Sequence, residues 1–552
     1  MHVGLDFGTS YTKLGYIKND SFVNLCPEER IPSLAALHKK ESLLYGHIDM
    51  ETLPAELTTW PFFKLALKRN RHVYPGNYSL LEILTGYFTF IKNHYLQNIN
   101  DNLDSLTISV PNYFGMNARR IILQAAKQVF PAVKPVLLPE PVAAISGFNL
   151  LTDKPVSGEV LCIDIGGGTT DISFLTLAAE KQEILLETQL QMGHDAFSGS
   201  EIDKAIIQNI FFPLCFQDES EDIISQIFHS SFNRSFFYYQ LLCEAERVKI
   251  ALNHQFSVAA TIPALNNNSR TSLDINRDLF AQRLQSVFNR LYNYIDNTVK
   301  NRAYQLGLWQ NDQWTLDHVL IMGGASKTPG LQKLLQDLFG TYALIFPEDV
   351  EFNVVRGLSL WGARQSTAQV KTIYPFQFYI QKRDMYSGKQ SLEYLPFDTA
   401  NLELDINACY PIAYIPLTSP FNLASQPDKF YLRIFEVEEH DPESELERFS
   451  GQETVLDFQA DTEQLNDPLE IIFDLNDYCL KINNSSTPQI YPPASIEHDF
   501  SGCRWNFEII NNYRYLKPAL ADSLTRQIDK SEVEDNNSIR LKLLSVLQLL
   551  TS

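Results

Sequence analysis

At 552 residues the chain is longer than one hydrophobic core organises, so two or three domains are expected. Its 66 Asp and Glu against 45 Lys and Arg leave a net charge of −21, which argues against nucleic acid or an anionic membrane as a general partner. Cysteines stand at positions 26, 162, 215, 243, 409, 479 and 503, with no C-x-x-C and no zinc spacing; they read as buried thiols in a reducing compartment. No apolar run approaches the ~18 residues that span a bilayer and no signal peptide precedes the first strand, so the expectation is no membrane and a cytoplasmic location.

The chain opens with His2 to Tyr16, HVGLDFGTSYTKLGY: an apolar strand, Asp6, the turn residues Gly8, Thr9 and Ser10, and a second apolar strand. Residues 58–71, TTWPFFKLALKRNR, read as a turn leading into a helix. Lys64 there follows Trp60, Phe62 and Phe63, and on residue type alone it is a lysine snorkelling from an apolar surface. Residues 78–99 carry apolar positions at helical spacing and read as core. A short strand, Ser105 to Val110, stops at Pro111, and a helix begins near Asn117. Arg119 and Arg120 in its first turns oppose the helix dipole, which calls for a carboxylate or phosphate partner unless both are solvated. In VLLPEPVAAISGF (136–148) two prolines present Glu140 stiffly, which suits a residue holding a metal-bound water and equally a plain helix start.

Leu161 to Leu175, LCIDIGGGTTDISFL, repeats the first unit. Gly166, Gly167 and Gly168 allow backbone N–H groups to approach an anion closely, Thr169 and Thr170 add hydroxyl donors, and Asp164 and Asp171 suit a hydrated Mg²⁺ beside phosphate. One glycine run is a weak signal; two strand–Asp–Gly–hydroxyl–strand units suggest two related halves that face one nucleotide. Further on, Ser198 or Ser200 caps a helix, and helical periodicity runs over 202–252. Within it Glu246 and Lys249, three apart, share a face and read as a surface ion pair. After a helix over 277–306, the strand Asp317 to Met322 enters GGASKTPGLQKLL, where Gly323 and Gly324 and the following helix amino terminus form a third ligand-approach site. Residues 353–364 read as a helix of small residues that closes the domain.

From about residue 369 the texture becomes alternating strands with polar turns, predicting an antiparallel β domain of at least six strands over 369–492. Its acidic segment EVEEHDPESELER reads as a solvated loop. The tail, 493–552, carries two expected helices, 516–529 and 538–551, the last strongly apolar on one face.

With these residues in place, positions 1–368 resemble the Hsp70 nucleotide-binding domain of the actin-like ATPase superfamily. GLDFGTS is similar to its first phosphate motif, IDIGGGTTDIS to its second and IMGGASKTPGLQKLL to its adenosine motif. VPNYF with Arg119 resembles its proline-switch segment, and LLPEPVAA its first connecting helix. The resemblance implies an α/β actin-like fold of two lobes with duplicated phosphate hairpins, followed by the β domain, with substrate capture implied by analogy of fold, and a short helical tail. It implies ATP or ADP with Mg²⁺ as ligands. Asp6, Glu140, Asp164 and Asp171 would surround the metal and attacking water, with Asp164 the proton acceptor and Lys64 on the γ-phosphate. Thr9, Ser10 and Thr169 would donate to phosphates; Gly8, Gly166 to Gly168, Gly323 and Gly324 would contact nucleotide; Glu246, Lys249 and Lys327 would lie around the adenosine. Pro111 and Arg119 match residues that relay nucleotide state between domains. Partners implied are a polypeptide client or dedicated protein, with a co-chaperone or exchange factor.

Four departures bear on function. Ile250 stands where the family has an arginine on the base, Asn253 replaces a serine, and Lys327 replaces an arginine, which should weaken adenine binding or relax base choice. RQSTAQVKTIYP stands in place of the acidic, leucine-rich linker, which bears on coupling to J-domain co-chaperones. Two other readings stay open: a nucleotide-binding scaffold with little hydrolysis, and an actin-like or MreB-like filament protein.

Overall fold

His2–Phe7 (β1) and Tyr11–Lys18 (β2) pair antiparallel around the Gly8–Ser10 turn, with Val3, Leu5 and Phe7 buried. Ser21–Asn24 (β3) extends the sheet on one side; Ser105–Val110 (β4) and Pro135–Pro139 (β5) extend it in parallel on the other, giving the order β3, β2, β1, β4, β5. β4 and β5 are buried along their whole length, as parallel strands covered on both faces require. The second sheet repeats this plan. Gly158–Ile165 (β6) and Thr170–Glu180 (β7) form its hairpin, Glu183–His194 (β8) flanks β7, and His318–Met322 (β9) and Leu344–Ile345 (β10) run parallel beyond β6. The order β8, β7, β6, β9, β10 matches the first sheet strand for strand, so the duplication seen in the motifs extends to topology.

This computed structural model describes residues 1–490 except for several segments, the longest being 49–56, 69–77, 216–235, 264–269, 384–389, 396–408 and 439–452. The two tail helices expected at 516–529 and 538–551 lie outside the described residues.

The first lobe carries Leu80–Ile91 (α1), started by a capping box between Ser79 and Glu82, and Met116–Val129 (α2). Glu140–Leu151 (α3) leads out of this lobe, and Asn353–Ala363 (α8) returns against it. The two helices touch backbone to backbone: a Cβ on Gly147 would lie 1.8 Å from the Asn353 carbonyl oxygen, and one on Gly357 1.8 Å from that of Ala143. The second lobe carries Gly199–Ile206 (α4), capped by Ser198, then Phe236–Ala251 (α5), Arg277–Asn293 (α6) and Leu331–Phe339 (α7). Its core is separate from that of the first lobe. No helix among the described residues is long and apolar enough to cross a membrane.

Gln369–Lys371 (β11) adds in parallel to β8, so the segment without the leucine-rich linker sequence still extends the second sheet. Beyond it lie two antiparallel four-stranded sheets. One has the order Gln390–Leu395 (β13), Phe376–Arg383 (β12), Lys429–Glu438 (β15), Glu453–Asp461 (β16). The other has the order Cys409–Ile415 (β14), Leu469–Asp474 (β17), Cys479–Asn483 (β18), Gln489–Ile490 (β19). Phe378, Phe430 and Phe473 from these sheets belong to the same buried cluster as Val3, Phe7 and Phe114 of the first lobe. The β domain is therefore packed on that lobe.

Two sequence expectations change here. Glu436, which opens the acidic segment, is buried in β15 rather than solvated, because it serves as a hydrogen-bond acceptor for α2; residues 439–452 lie outside the description. Cys243 and Cys409 are exposed and Cys215 is half-buried, whereas Cys26, Cys162 and Cys479 are buried thiols as expected; Cys503 lies outside the described residues.

Candidate functional site

The two hairpins align residue for residue from Asp6 to Lys13 and from Asp164 to Asp171. In the first, Asp6 stands directly across from Lys13 and their charged groups are 3.0 Å apart. In the second the equivalent pair is Asp164 across from Asp171, two buried carboxylates. Like charges directly opposite on antiparallel strands repel, and burial magnifies the effect. The tips face each other: a Cβ on Gly168 would fall 2.3 Å from Thr9 Cγ2, and one on Gly167 would fall 2.4 Å from Ser10 Oγ. A residue larger than glycine at 168 would wedge the hairpins apart, because Thr9 Cβ itself would lie 2.6 Å from the added Cβ.

Lys64, in the short helix Lys64–Lys68, is only 1% exposed and does not snorkel. Its ammonium donates to Glu140 Oε1 at 2.7 Å and lies 5.3 Å from the Phe7 ring and 5.7 Å from the Phe114 ring. Asp6 Oδ1 accepts from Ser109 Oγ at 3.0 Å, at the end of β4. Asp171 accepts from the Asn112 backbone N–H at 2.7 Å and from Thr169 Oγ1 at 3.0 Å. Burial, then the neighbouring charges of Glu140, Asp171 and Asp6, lifts Asp164 well above the usual carboxylate range. Burial and Glu140 push Asp171 up to about 7 against the pull of its two donors. Glu140 is raised by burial and by Asp6, with Lys64 opposing. Four carboxylates, all buried or nearly so, thus share one region with two lysines, and a hard divalent cation with oxygen ligands is the charge this donor set fits.

The third motif meets this cluster from behind. Gly323, at φ +79°, backs onto Asp164 and the Ile165 carbonyl. Gly324 and Lys327 bound a single 3-10 turn, and α7 starts only after Gly330, which is left-handed; the helix amino terminus expected at this site therefore stands beyond the turn and not at the glycine pair. Gly324 faces Glu351, whose Cγ lies 3.8 Å from where a Cβ would stand. The expected surface ion pair between Glu246 and Lys249 is replaced by partners elsewhere. Lys249 is buried, with its ammonium 2.7 Å from Asp203 Oδ1 and 3.1 Å from the Gly199 carbonyl oxygen. Gly199 N–H in turn donates to the Gly166 carbonyl at 2.9 Å, so Lys249 braces the second hairpin. Glu246 Oε2 accepts from Tyr11 of the first lobe at 2.7 Å.

Pro111 and Arg119 meet directly. Buried Arg119 donates through Nε to the Phe114 carbonyl at 2.6 Å, and an Nη reaches the Pro111 and Asn112 carbonyls at 3.4 and 3.3 Å. The carboxylate anticipated at this helix start is Glu436, but it takes the Met116 N–H, at 2.9 and 3.1 Å, and the Tyr374 hydroxyl. The Arg119 guanidinium lies 5.8 Å from the Tyr374 ring and 5.3 Å from that of Tyr478.

Sequence reasoning missed Lys13, Ser109, Asn112, Tyr11, Arg30 and Glu351. Lys13 was within reach, because the hairpin register places it opposite Asp6. Tyr11 and Glu351 find their partners 235 and 321 positions away, and no local pattern marks such pairs.

Comparison with known proteins agrees with this geometry. The family model described as Hsp70 protein matches residues 50–345. The chaperone protein DnaK of Metamycoplasma hominis is 24% identical over 341 residues, which cover 61% of this chain and 54% of that protein. A ribosome-associated molecular chaperone of Zygosaccharomyces rouxii is 24% identical over 402 residues, 66% of this chain and 62% of that one. DnaK of Mesomycoplasma hyopneumoniae is 25% identical over 342 residues, 60% and 53% of the two chains. The chain thus spans about half the length of the DnaK relatives it matches. With duplicated hairpins, carboxylate cluster and family match in agreement, this chain is a divergent member of the Hsp70 family.

Proposed function

We propose that the chain binds ATP with Mg²⁺ between the two hairpins, hydrolyses it slowly, and uses the nucleotide state to control the hold of its β domain on a polypeptide partner. The observation that carries this reading is the buried Asp164–Asp171 pair facing its Asp6–Lys13 counterpart. The metal, when bound, would neutralise charge on the phosphate oxygens and on the carboxylates around it. Backbone N–H groups of the two turns, with the Thr9, Ser10 and Thr169 hydroxyls, hold the phosphates. Lys64, already dry and held by Glu140, lies against the terminal phosphate as a fixed positive charge. Asp164, buried at the end of its strand beside Glu140, Asp171 and Asp6, takes the proton of the attacking water. Glu140 fixes Lys64, Lys13 offsets Asp6, and Glu246, Lys327, Gly323 and Gly324 border the nucleoside; Lys249 acts by bracing the second hairpin.

Coupling to the β domain is supported by the unbroken contacts from Asp171 through Asn112 and Arg119 to Tyr374 and Glu436. The test is calorimetric binding of ATP and ADP with and without Mg²⁺, with turnover by wild type and Asp164→Asn. Mg²⁺-dependent binding by both proteins and turnover only in wild type is expected; turnover equal in the two would remove Asp164 from the chemistry. A scaffold with little hydrolysis is the second reading, favoured by the commitment of both Lys64 and Lys249 to protein carboxylates. It predicts binding without turnover.

A further inference from the structure

Both hairpin turns are held through their carbonyl groups, and the two holds are built differently. In the second hairpin the donors are backbone: Gly199 N–H donates to the Gly166 carbonyl at 2.9 Å and Ser200 N–H to the Gly167 carbonyl at 2.6 Å. In the first hairpin Ser33 supplies two donors. Its N–H donates to the Ser10 carbonyl at 2.8 Å, and its Oγ donates to the Gly8 carbonyl at 2.6 Å. Ser33 follows the short pairing of Ile31 and Pro32 with β2 and is 2% exposed. Two more buried hydroxyls stand next to it. Thr12 Oγ1 lies 3.0 Å from Ser33 Oγ, and the Tyr87 hydroxyl of α1 lies 2.8 Å from Thr12 Oγ1 and 3.2 Å from the Pro32 carbonyl oxygen. A carbonyl only accepts, and a hydroxyl has one proton to give. With the Ser33 proton on Gly8, the Thr12 proton goes to Ser33 and Thr12 accepts from Tyr87. The chain therefore runs one way, from α1 to the turn.

We infer that Ser33 is a positioning residue for phosphate at the first hairpin, and that Thr12 and Tyr87 set the direction of its hydroxyl. This rests on the cleft being a nucleotide site. In a trans peptide the carbonyl and the following N–H point in opposite directions. Holding the Gly8 oxygen against buried Ser33 turns Thr9 N–H the other way and keeps an acceptor from facing an anion. A purely structural role explains less. The strand pairing and the Ser33 N–H already tie this segment to the turn; the hydroxyl adds the orientation of one peptide. The second turn is held at the equivalent carbonyl, Gly166, by a backbone N–H, so only the first depends on a side chain for this hold.

The test compares wild type, Ser33→Ala, Ser33→Thr and Tyr87→Phe. Dissociation constants for pyrophosphate and ADP with Mg²⁺ come from calorimetry well below every melting midpoint, so that unfolding does not enter. Ser33→Ala should bind both ligands about tenfold more weakly and by the same factor, the upper size of one neutral hydrogen bond. Ser33→Thr keeps the hydroxyl and should stay within about threefold of wild type, and Tyr87→Phe, which keeps the ring, should fall between wild type and Ser33→Ala. A lowered melting midpoint in Ser33→Ala with wild-type pyrophosphate affinity, or a loss in Ser33→Thr equal to that in Ser33→Ala, would overturn the role of Ser33 and leave the nucleotide site standing. Should Ser33→Ala not fold, Tyr87→Phe decides alone, and wild-type affinity there would overturn the inference. Failure of wild type to bind either ADP or pyrophosphate would overturn both readings.

Discussion

Asp171 carries a proton affinity set by where the fold puts it, fully buried and near Glu140. Its folded pKa, about 7, exceeds the unfolded value near 3.8, so the folded chain binds the extra proton. Stability contributed by this group is complete below the unfolded value and is lost as pH rises toward 7. Asp171→Asn keeps an acceptor for the Asn112 N–H and removes the charge. The metal-free variant should therefore melt several degrees above wild type at pH 8 and close to it at pH 4, in scanning calorimetry without Mg²⁺; a variant less stable at pH 8 would contradict the repulsion. Lys64→Ala should act oppositely. It leaves the largely buried Glu140 without its ammonium, a loss on the order of 3–5 kcal/mol, readable as a lowered denaturation midpoint.

The pair α3 and α8 shows how an element depends on one missing atom. Any side chain at Gly357 would enter the Ala143 carbonyl, and no rotamer relieves a clash at Cβ. Gly357→Val should cost about 3 kcal/mol or more, measured by urea denaturation, whereas Gly340→Ala, with open space around the site, should cost only its left-handed φ. The glycine turns of the two hairpins were legible because strand, turn and strand are local patterns. That Gly147 and Gly357 meet was not, since their crossing is fixed by the two sheets they join. The same limit explains Glu436: it opens an acidic run that continues with Glu438 and Glu439, and only the docking of β15 on α2 turns it into a buried acceptor. It also explains Lys249, whose partner Asp203 lies on another helix.

Across the whole molecule, the first lobe and the β domain share one buried cluster, while the second lobe keeps its own. A change in the angle between lobes would therefore be felt at the β domain through Asn112, Arg119 and Tyr374. Glu436→Ala leaves the Met116 N–H buried without this acceptor, a loss of about 1–3 kcal/mol. Hydrogen exchange should quicken at the start of α2 and in β12 and β15 together, while α5 and α6 keep wild-type rates. Quickening confined to β15 would show that the β domain does not brace α2.

The most direct test of the account is ATP turnover by the purified chain with Mg²⁺, beside Asp164→Asn and with nucleotide binding measured on both. Asp164→Asn is the better comparison than Lys64→Ala because it relieves a repulsion instead of breaking a buried ion pair. The account predicts slow, Mg²⁺-dependent turnover in wild type and loss of turnover with binding retained in the variant. Equal turnover in the two proteins, or no nucleotide binding by either, would contradict it.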